Sequence, residues 1–261
     1  MRCSVTTSRT FSSRLPRPST NSATTRKTAP ALFRARRPDI HKLNNKENHL
    51  STFDITAAKE QILEYCLRSM EYGLNFNTQG NISLRVSDQP NRFLITPTDL
   101  EYDKMTADDI VLVDSDSNLI EGKHEPSSEV TVHMAVYRRR PNVNAIVHTE
   151  PVFANVWGVV GEPILGTLVN MVIYTKGDVP IMPFSLSNRT EFGDAMCDVM
   201  GELNAVVWAN HGLLTVGDSL RDAFKTSVAV ESAAKVQIYA RTATPNPIVL
   251  RYENLPTTTP L

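Results

Sequence analysis

Cysteine is scarce in this chain. Cys3, Cys66 and Cys197 are scattered over 261 residues with no CxxC pair and no even framework, which argues against a disulfide scaffold and for a reducing compartment. Any metal site must then be built from histidines and carboxylates. Long apolar runs are missing too. None approaches the roughly 18 to 20 residues that a membrane helix needs, so a soluble protein with no membrane partner is expected. Acidic residues are missing from the first 38 positions, which hold nine Lys or Arg and many Ser and Thr. The rest of the chain therefore carries 18 basic against 28 acidic residues, a net of −10.

An Arg-rich, Ser-rich, acid-free leader has the composition of an organellar transit peptide, and Pro16, Pro18, Pro30 and Pro38 oppose a stable fold there. The plain alternative is a disordered basic tail that touches nucleic acid or membrane. The acidic body offers no basic surface for such a tail to extend. The expectation is therefore no nucleic-acid partner and import into mitochondrion or plastid, with the cytosol as the other location. A chain with 41% hydrophobic residues can bury a substantial core, enough for one medium domain. The expected boundaries are a tail over 1–50, a domain over 51–245 and a C-terminal tail over 246–261.

Apolar residues recurring at three and four between Ile55 and Leu74 predict an amphipathic helix over 54–72, with Gly73 near its end and Ser51 or Thr52 as cap. The period then changes to two. "NISLRV" (81–86) and "RFLIT" (92–96) read as strands joined by a turn at Pro90-Asn91, and "IVLVD" (110–114) pairs with "NLIEG" (118–122) across "SDS". Connections this short join antiparallel neighbours. A helix over 127–140 ended by Pro141, the strand "NAIVH" (144–148) and a mixed stretch follow. Then come "DVPIMPF", a helix over about 189–201, a hairpin over 204–217 turning at Asn210-His211-Gly212, and a long helix over about 219–243. Helices flanking a largely antiparallel sheet make an α/β layered domain.

In "AIVHTEPVFANV" (145–156) an apolar strand ends in His148, and Glu150, two places on, shares its face. His211 ends another apolar strand in "WANHGLL". Two neutral nitrogens and a carboxylate are the ligand types that zinc and neighbouring divalent ions take, with room left for a substrate oxygen. The plain alternative is two histidines each bonded to backbone carbonyls. In "EPSSEVTVH", Ser127 and Ser128 fall at a helix start, where free N–H groups and the positive dipole end favour an anion such as phosphate. Glu129 is either a dipole complement or a general base near the metal. His133, on the same helix face, orients it or is a core histidine, and the second is the simpler reading. Gly80 and Asn81 in "TQGNISLR" and Thr98 in "ITPTDLEYDKM" sit in loops of the sort that cradle phosphate, although each alone is an ordinary turn.

Taken in order, "GNISLR", "ITPTDLEYDKMTADDIVLVD", "PSSEVTVHMAVYRRRPNVNAIVHTE" and "ANHGLLTVG" resemble the successive motifs of the class II aldolase/adducin family, over about residues 54–243. The resemblance implies a three-layer α/β domain with a central, largely antiparallel sheet flanked by helices. It implies a homotetramer with active sites at subunit interfaces, and a zinc or similar divalent metal that stabilises an enediolate. The implied activity is that of a metal-dependent aldolase, an aldehyde-lyase that reversibly cleaves a carbon–carbon bond of a sugar phosphate or related hydroxy-carbonyl compound. A 4-epimerase using the same retro-aldol chemistry and a non-catalytic adducin-like scaffold are the alternatives.

Carried onto this sequence, the family's acid/base glutamate is Glu129, its phosphate-holding residues are Gly80, Asn81, Thr98, Ser127 and Ser128, and two metal histidines are His148 and His211. Three positions depart from the pattern. The usual His-x-His is His148-Thr149-Glu150 here, which makes Glu150 the expected third ligand. Asp99 stands where a glycine normally follows the threonine. The family's interface tyrosine aligns near Asn170, with Tyr174 one turn away.

Removing residues 1–50 should leave the melting temperature unchanged to within about a degree by differential scanning fluorimetry. A drop of several degrees would show that the segment packs on the domain.

Overall fold

The first apolar period becomes helix α1 (Ile55–Glu71), capped by Asp54, whose carboxylate accepts from the Ala57 amide at 3.0 Å. The cap is thus Asp54 rather than Ser51 or Thr52, because it is the short acceptor side chain immediately before the first helical residue. The computed structural model describes residues 53–187 and 190–256. The expected leader over 1–50 lies outside them, as does the end of the expected C-terminal tail.

Strands β1 (Asn81–Arg85), β2 (Arg92–Ile95), β3 (Val111–Asp114) and β4 (Leu119–Glu121) form the expected antiparallel meander. Helix α2 (Val130–Arg139) leads to β5 (Ala145–Thr149). After it come α3 (Val152–Val160), α4 (Val169–Thr175), β6 (Ile181–Met182), α5 (Thr190–Met200), β7 (Ala205–Trp208), β8 (Gly212–Gly217) and α6 (Leu220–Ala243). The eight strands form one sheet in the order β4-β3-β2-β1-β5-β8-β7-β6, antiparallel throughout except for the β6–β7 pair. Among the described residues, no helix is long and apolar enough to cross a membrane.

Three layers follow from which face each strand residue takes. Ile146, Val206, Trp208, Leu214 and Val216 turn to the α2–α5 side, where they meet Val132, Val136, Phe192 and Met196. On the opposite face Ile82, Leu94, Leu112 and Val147 pack on α1 and on Phe224 of α6. Val207 and Leu213 pack on α3, α4 and the rest of α6. Strands β5, β7 and β8 are covered on both faces and are mostly apolar for that reason, whereas β1 alternates, with Asn81, Ser83 and Arg85 on the α2 side.

Three elements differ from the sequence expectation. Helix α2 starts at Val130 rather than 127, because the Ser127 amide is drawn to the Thr96 carbonyl at 3.1 Å and residues 128 and 129 form a turn. The mixed stretch after β5 contains α3 and α4. Helix α3 has no charged residue and α4 has only seven residues, so neither shows a polar face at helical spacing. The segment after α6 runs back over the domain: the Leu250 amide donates to the Gly166 carbonyl at 2.7 Å and Arg251 pairs with Asp178 at 2.7 Å.

The loop into β1 depends on Gly80, which has φ +72, where an added Cβ would lie 2.5 Å from both Asn75 Nδ2 and the His148 carbonyl. Gly80→Ala should therefore cost at least about 2 kcal/mol, read as a lower urea midpoint at unchanged slope.

Candidate functional site

Strand β5 lies between β1 and β8, and its register sets Asn81 beside His148 on one side and Leu214 on the other. His148 is buried at 1% exposure and stacks on Trp208, with ring centroids 4.4 Å apart. Its Nδ1 lies 3.1 Å from the Leu213 carbonyl, which can only accept, so Nδ1 carries the proton. The lone pair is thereby left on Nε2, which is buried without a hydrogen-bond partner.

His211 sits in the turn between β7 and β8, beside Asn210 in the left-handed conformation at φ 59. Gly212 makes its approach to β5 feasible, since a Cβ there would meet the Thr149 carbonyl at 2.6 Å and His148 Cε1 at 2.8 Å. The two imidazoles are nearly perpendicular, with centroids 5.1 Å apart.

Glu129 closes the cluster from the N-terminal end of α2. His148 Nε2 is 3.3 Å from its Oε2, and His211 Nε2 is 3.2 Å from its Oε1. The carboxylate is buried and also accepts hydrogen bonds from Ser187 Oγ at 2.7 Å and Asn81 Nδ2 at 2.8 Å. Burial alone would push its carboxyl up; the neighbouring His148, the Ser187 and Asn81 hydrogen bonds and His211 outweigh that and hold it down at about 2. Burial holds the His148 imidazole down at about 4, against the pull of Glu129. At neutral pH an ionised carboxylate therefore faces a neutral imidazole.

These residues suit a divalent cation. The ligand atoms of Glu129, His148 and His211 all lie within 4.8 Å of one another. In a tetrahedral site with ligands about 2.0 to 2.2 Å from the ion, neighbouring ligand atoms are about 3.4 Å apart, close to the two nitrogen–oxygen separations here. The backbone bond at His148 Nδ1 fixes the tautomer that a metal requires.

Beside the cluster lies a cleft of about 380 Å³. Gly80, Asn81, Thr98, Ser127, Ser128, Glu129, Glu150 and His211 all line it, while His148 is buried behind. Glu150 falls outside the three-residue cluster. Strand β5 stops at Thr149, the Glu150 amide turns to the Leu74 carbonyl and Asn75 Oδ1, and its carboxylate accepts from Gln79 Nε2 at 2.9 Å. Burial raises the Glu150 carboxyl, against the opposing effect of His211. Asp99 is on the cleft wall in the left-handed conformation, φ 52, so it retains the backbone shape a glycine would have. Asn170 and Tyr174 line a different cavity, against α6.

Four residues at or around the site escape the sequence reading. Ser187 and Gln79 hold the two carboxylates, Asn75 braces the turn at Glu150, and Trp208 supports His148. Gln79 had one available signal, its place directly before Gly80. Ser187 had none, because its 58-residue separation from Glu129 is bridged only in the fold.

Residues 60–238 match the family model described as Class II Aldolase and Adducin N-terminal domain. The 5-deoxy-D-ribulose 1-phosphate aldolase of Bacillus thuringiensis serovar kurstaki is 32% identical over 184 residues, covering 70% of this chain and 84% of the relative. An L-ribulose-5-phosphate 4-epimerase of Salmonella paratyphi B is 30% identical over 205 residues, covering 73% and 89%. A solved L-fuculose 1-phosphate aldolase superposes with a TM-score of 0.72 at 28% identity, covering 78% of this chain and 94% of that one. With the family motif spanning most of the folded domain and the cluster at its centre, the chain belongs to the class II aldolase and adducin family, whose aldolases are divalent-metal-dependent lyases.

Proposed function

We propose that this class II aldolase reversibly cleaves a carbon–carbon bond of a sugar phosphate or related hydroxy-carbonyl compound, with a zinc ion held by His148, His211 and Glu129. The observation that carries this reading is the convergence of two imidazole Nε2 atoms on the two oxygens of one buried carboxylate, at 3.3 and 3.2 Å. When bound, the cation offsets by several kcal/mol the negative charge that bond cleavage leaves on neighbouring oxygens.

The chain's own residues divide the remaining work. His148 and His211 offer neutral nitrogens, the first with its tautomer set by the Leu213 carbonyl. Glu129, aimed by Ser187 and Asn81, takes the proton of the hydroxyl whose carbon becomes the new carbonyl and delivers it to the carbon that loses its partner, the reverse in synthesis. Asn81, Thr98, Ser127, Ser128 and the loop at Gly80 surround the phosphate end of the substrate, beside the positive end of the α2 dipole. No Lys or Arg lines this cleft among the described residues, and Asp99 opposes a dianion there, which favours a substrate with a less charged group at that end. Glu150 stays outside the ligand set because Gln79 already engages its carboxylate.

A homotetramer is part of the proposal. The exposed row Val152, Val156, Val159 and Val160 on α3 supports a partner subunit over that face. The acid-free leader supports import into mitochondrion or plastid.

Metal analysis and a cleavage assay on a panel of ketose 1-phosphates test the site. His148→Ala and His211→Ala should each lower bound metal from about one per chain to below about a tenth. Glu129→Gln should slow cleavage by about 100 to 10,000-fold, and Glu150→Gln should keep near-stoichiometric metal. A wild-type protein that takes up no divalent ion on titration would sink the reading. Loss of the ion in Glu150→Gln would return Glu150 to the ligand set.

A further inference from the structure

Glu129, His133 and Tyr137 recur every four residues along α2, and Asn81, Ser83 and Arg85 every two along β1. Four helical residues advance about 6 Å and two strand residues about 6.6 Å, so the two rows stay in step. Hydrogen bonds join them. Tyr137 Oη is 2.8 Å from Ser83 Oγ, and Ser83 Oγ is 2.6 Å from His133 Nδ1. His133 Nε2 is 2.6 Å from Asn81 Oδ1, and Asn81 Nδ2 is 2.8 Å from Glu129 Oε2.

The carboxylate at the end of this chain fixes every proton in it. An ionised Glu129 only accepts, so Asn81 must turn its NH2 group to Glu129 and its carbonyl oxygen to His133. That oxygen only accepts, so His133 carries its proton on Nε2 and accepts on Nδ1. Ser83 then donates to Nδ1, and its own oxygen accepts from Tyr137. All four bonds donate toward Glu129, from Tyr137 through Ser83, His133 and Asn81 in turn, and such buried chains strengthen cooperatively.

We infer that His133 is a positioning residue for the lyase reaction, locking the Asn81 amide through Nε2–H in the one orientation that donates to Glu129. Without that donor the Asn81 oxygen loses its buried partner, and only Glu129 opposes rotation of the amide by half a turn. A rotated amide would set a carbonyl oxygen against the carboxylate and turn its NH2 group away from it. A histidine present only to fill the core would place no such directional demand on its neighbours. The kinetic consequence rests on the aldolase reading above; the structural one does not.

A double-mutant cycle tests this. Divalent-ion affinity, by competition with a chelator, and kcat and KM for cleavage are measured for the wild type, His133→Leu, His133→Gln, Asn81→Ala and His133→Leu/Asn81→Ala. His133→Leu should weaken ion binding about 10-fold and lower kcat at least about 10-fold. His133→Gln, whose amide still donates toward Asn81, should stay within about threefold of the wild type. In the Asn81→Ala background, His133→Leu should change either quantity less than about twofold, because the residue it acts through is gone.

Equal effects of His133→Leu in both backgrounds, or Gln as damaging as Leu, would show a packing role and overturn the inference. If His133→Leu does not fold, Ser83→Ala, which removes the donor to Nδ1 at little change in volume, carries the same cycle: an effect lost in the Asn81→Ala background supports the inference and an equal effect in both backgrounds overturns it. If the wild type cleaves no sugar phosphate, the aldolase reading fails while the cycle on ion affinity still decides the role of His133.

Discussion

An ionised carboxylate with 7% exposure is the constraint on which the rest of this site depends. Removing Glu129 from water is costly unless each oxygen is compensated. Ser187 and Asn81 supply part of that compensation by donating hydrogen bonds at 2.7 and 2.8 Å, whereas the His148 Nε2 lone pair, 3.3 Å from the carboxylate, leaves a position that a cation would fill. Compensation by hydrogen bonds aims the carboxylate without protonating it. In the proposed reaction a divalent cation among the same atoms would add to that stabilisation, so ion binding and proton transfer would share one environment.

The scaffold holds this arrangement through strand register rather than through loops. His148 and Asn81 face each other across the β1–β5 ladder, and β8 supplies the carbonyl that sets the His148 tautomer. Trp208, on β7, supports the ring from below and is itself packed edge-on against Phe192. A one-residue slip between any of these strands would turn His148 or Asn81 to the opposite face. Burial of both faces of β5 opposes such a slip, because it would carry His148 into the layer of α6 and part Thr149 from its hydrogen bond to Ser227.

Charge in the cleft is lopsided. Glu129, Glu150 and Asp99 line it, and among the described residues no Lys or Arg does. That balance favours a cation as the first ligand and makes the hydroxyls and the α2 dipole the principal attractions for an anionic substrate group. Asp99 holds a left-handed backbone, φ 52, of the kind glycine adopts most readily, and sets a carboxylate on the cleft wall.

The sequence by itself determined a great deal here. Apolar residues at spacings of three and four located α1, and short apolar runs between turn residues located the antiparallel strands, because each buries a face whose period survives in the order of residues. Four motifs in order carried the family and its three-layer fold. Helices α3 and α4 were invisible, since a helix whose exposed face is apolar too and a seven-residue helix leave no polar stripe at helical spacing. At the site, the sequence supplied the residue types and the tertiary structure decided their partners. His148 and Glu150 are two residues apart, yet the strand ends between them and Gln79 takes the second. Glu129 is 19 and 82 residues from the two histidines and reaches both, because α2 packs across β1 in step with it. Proximity of that kind depends on packing between elements, and no local pattern in a single chain records it.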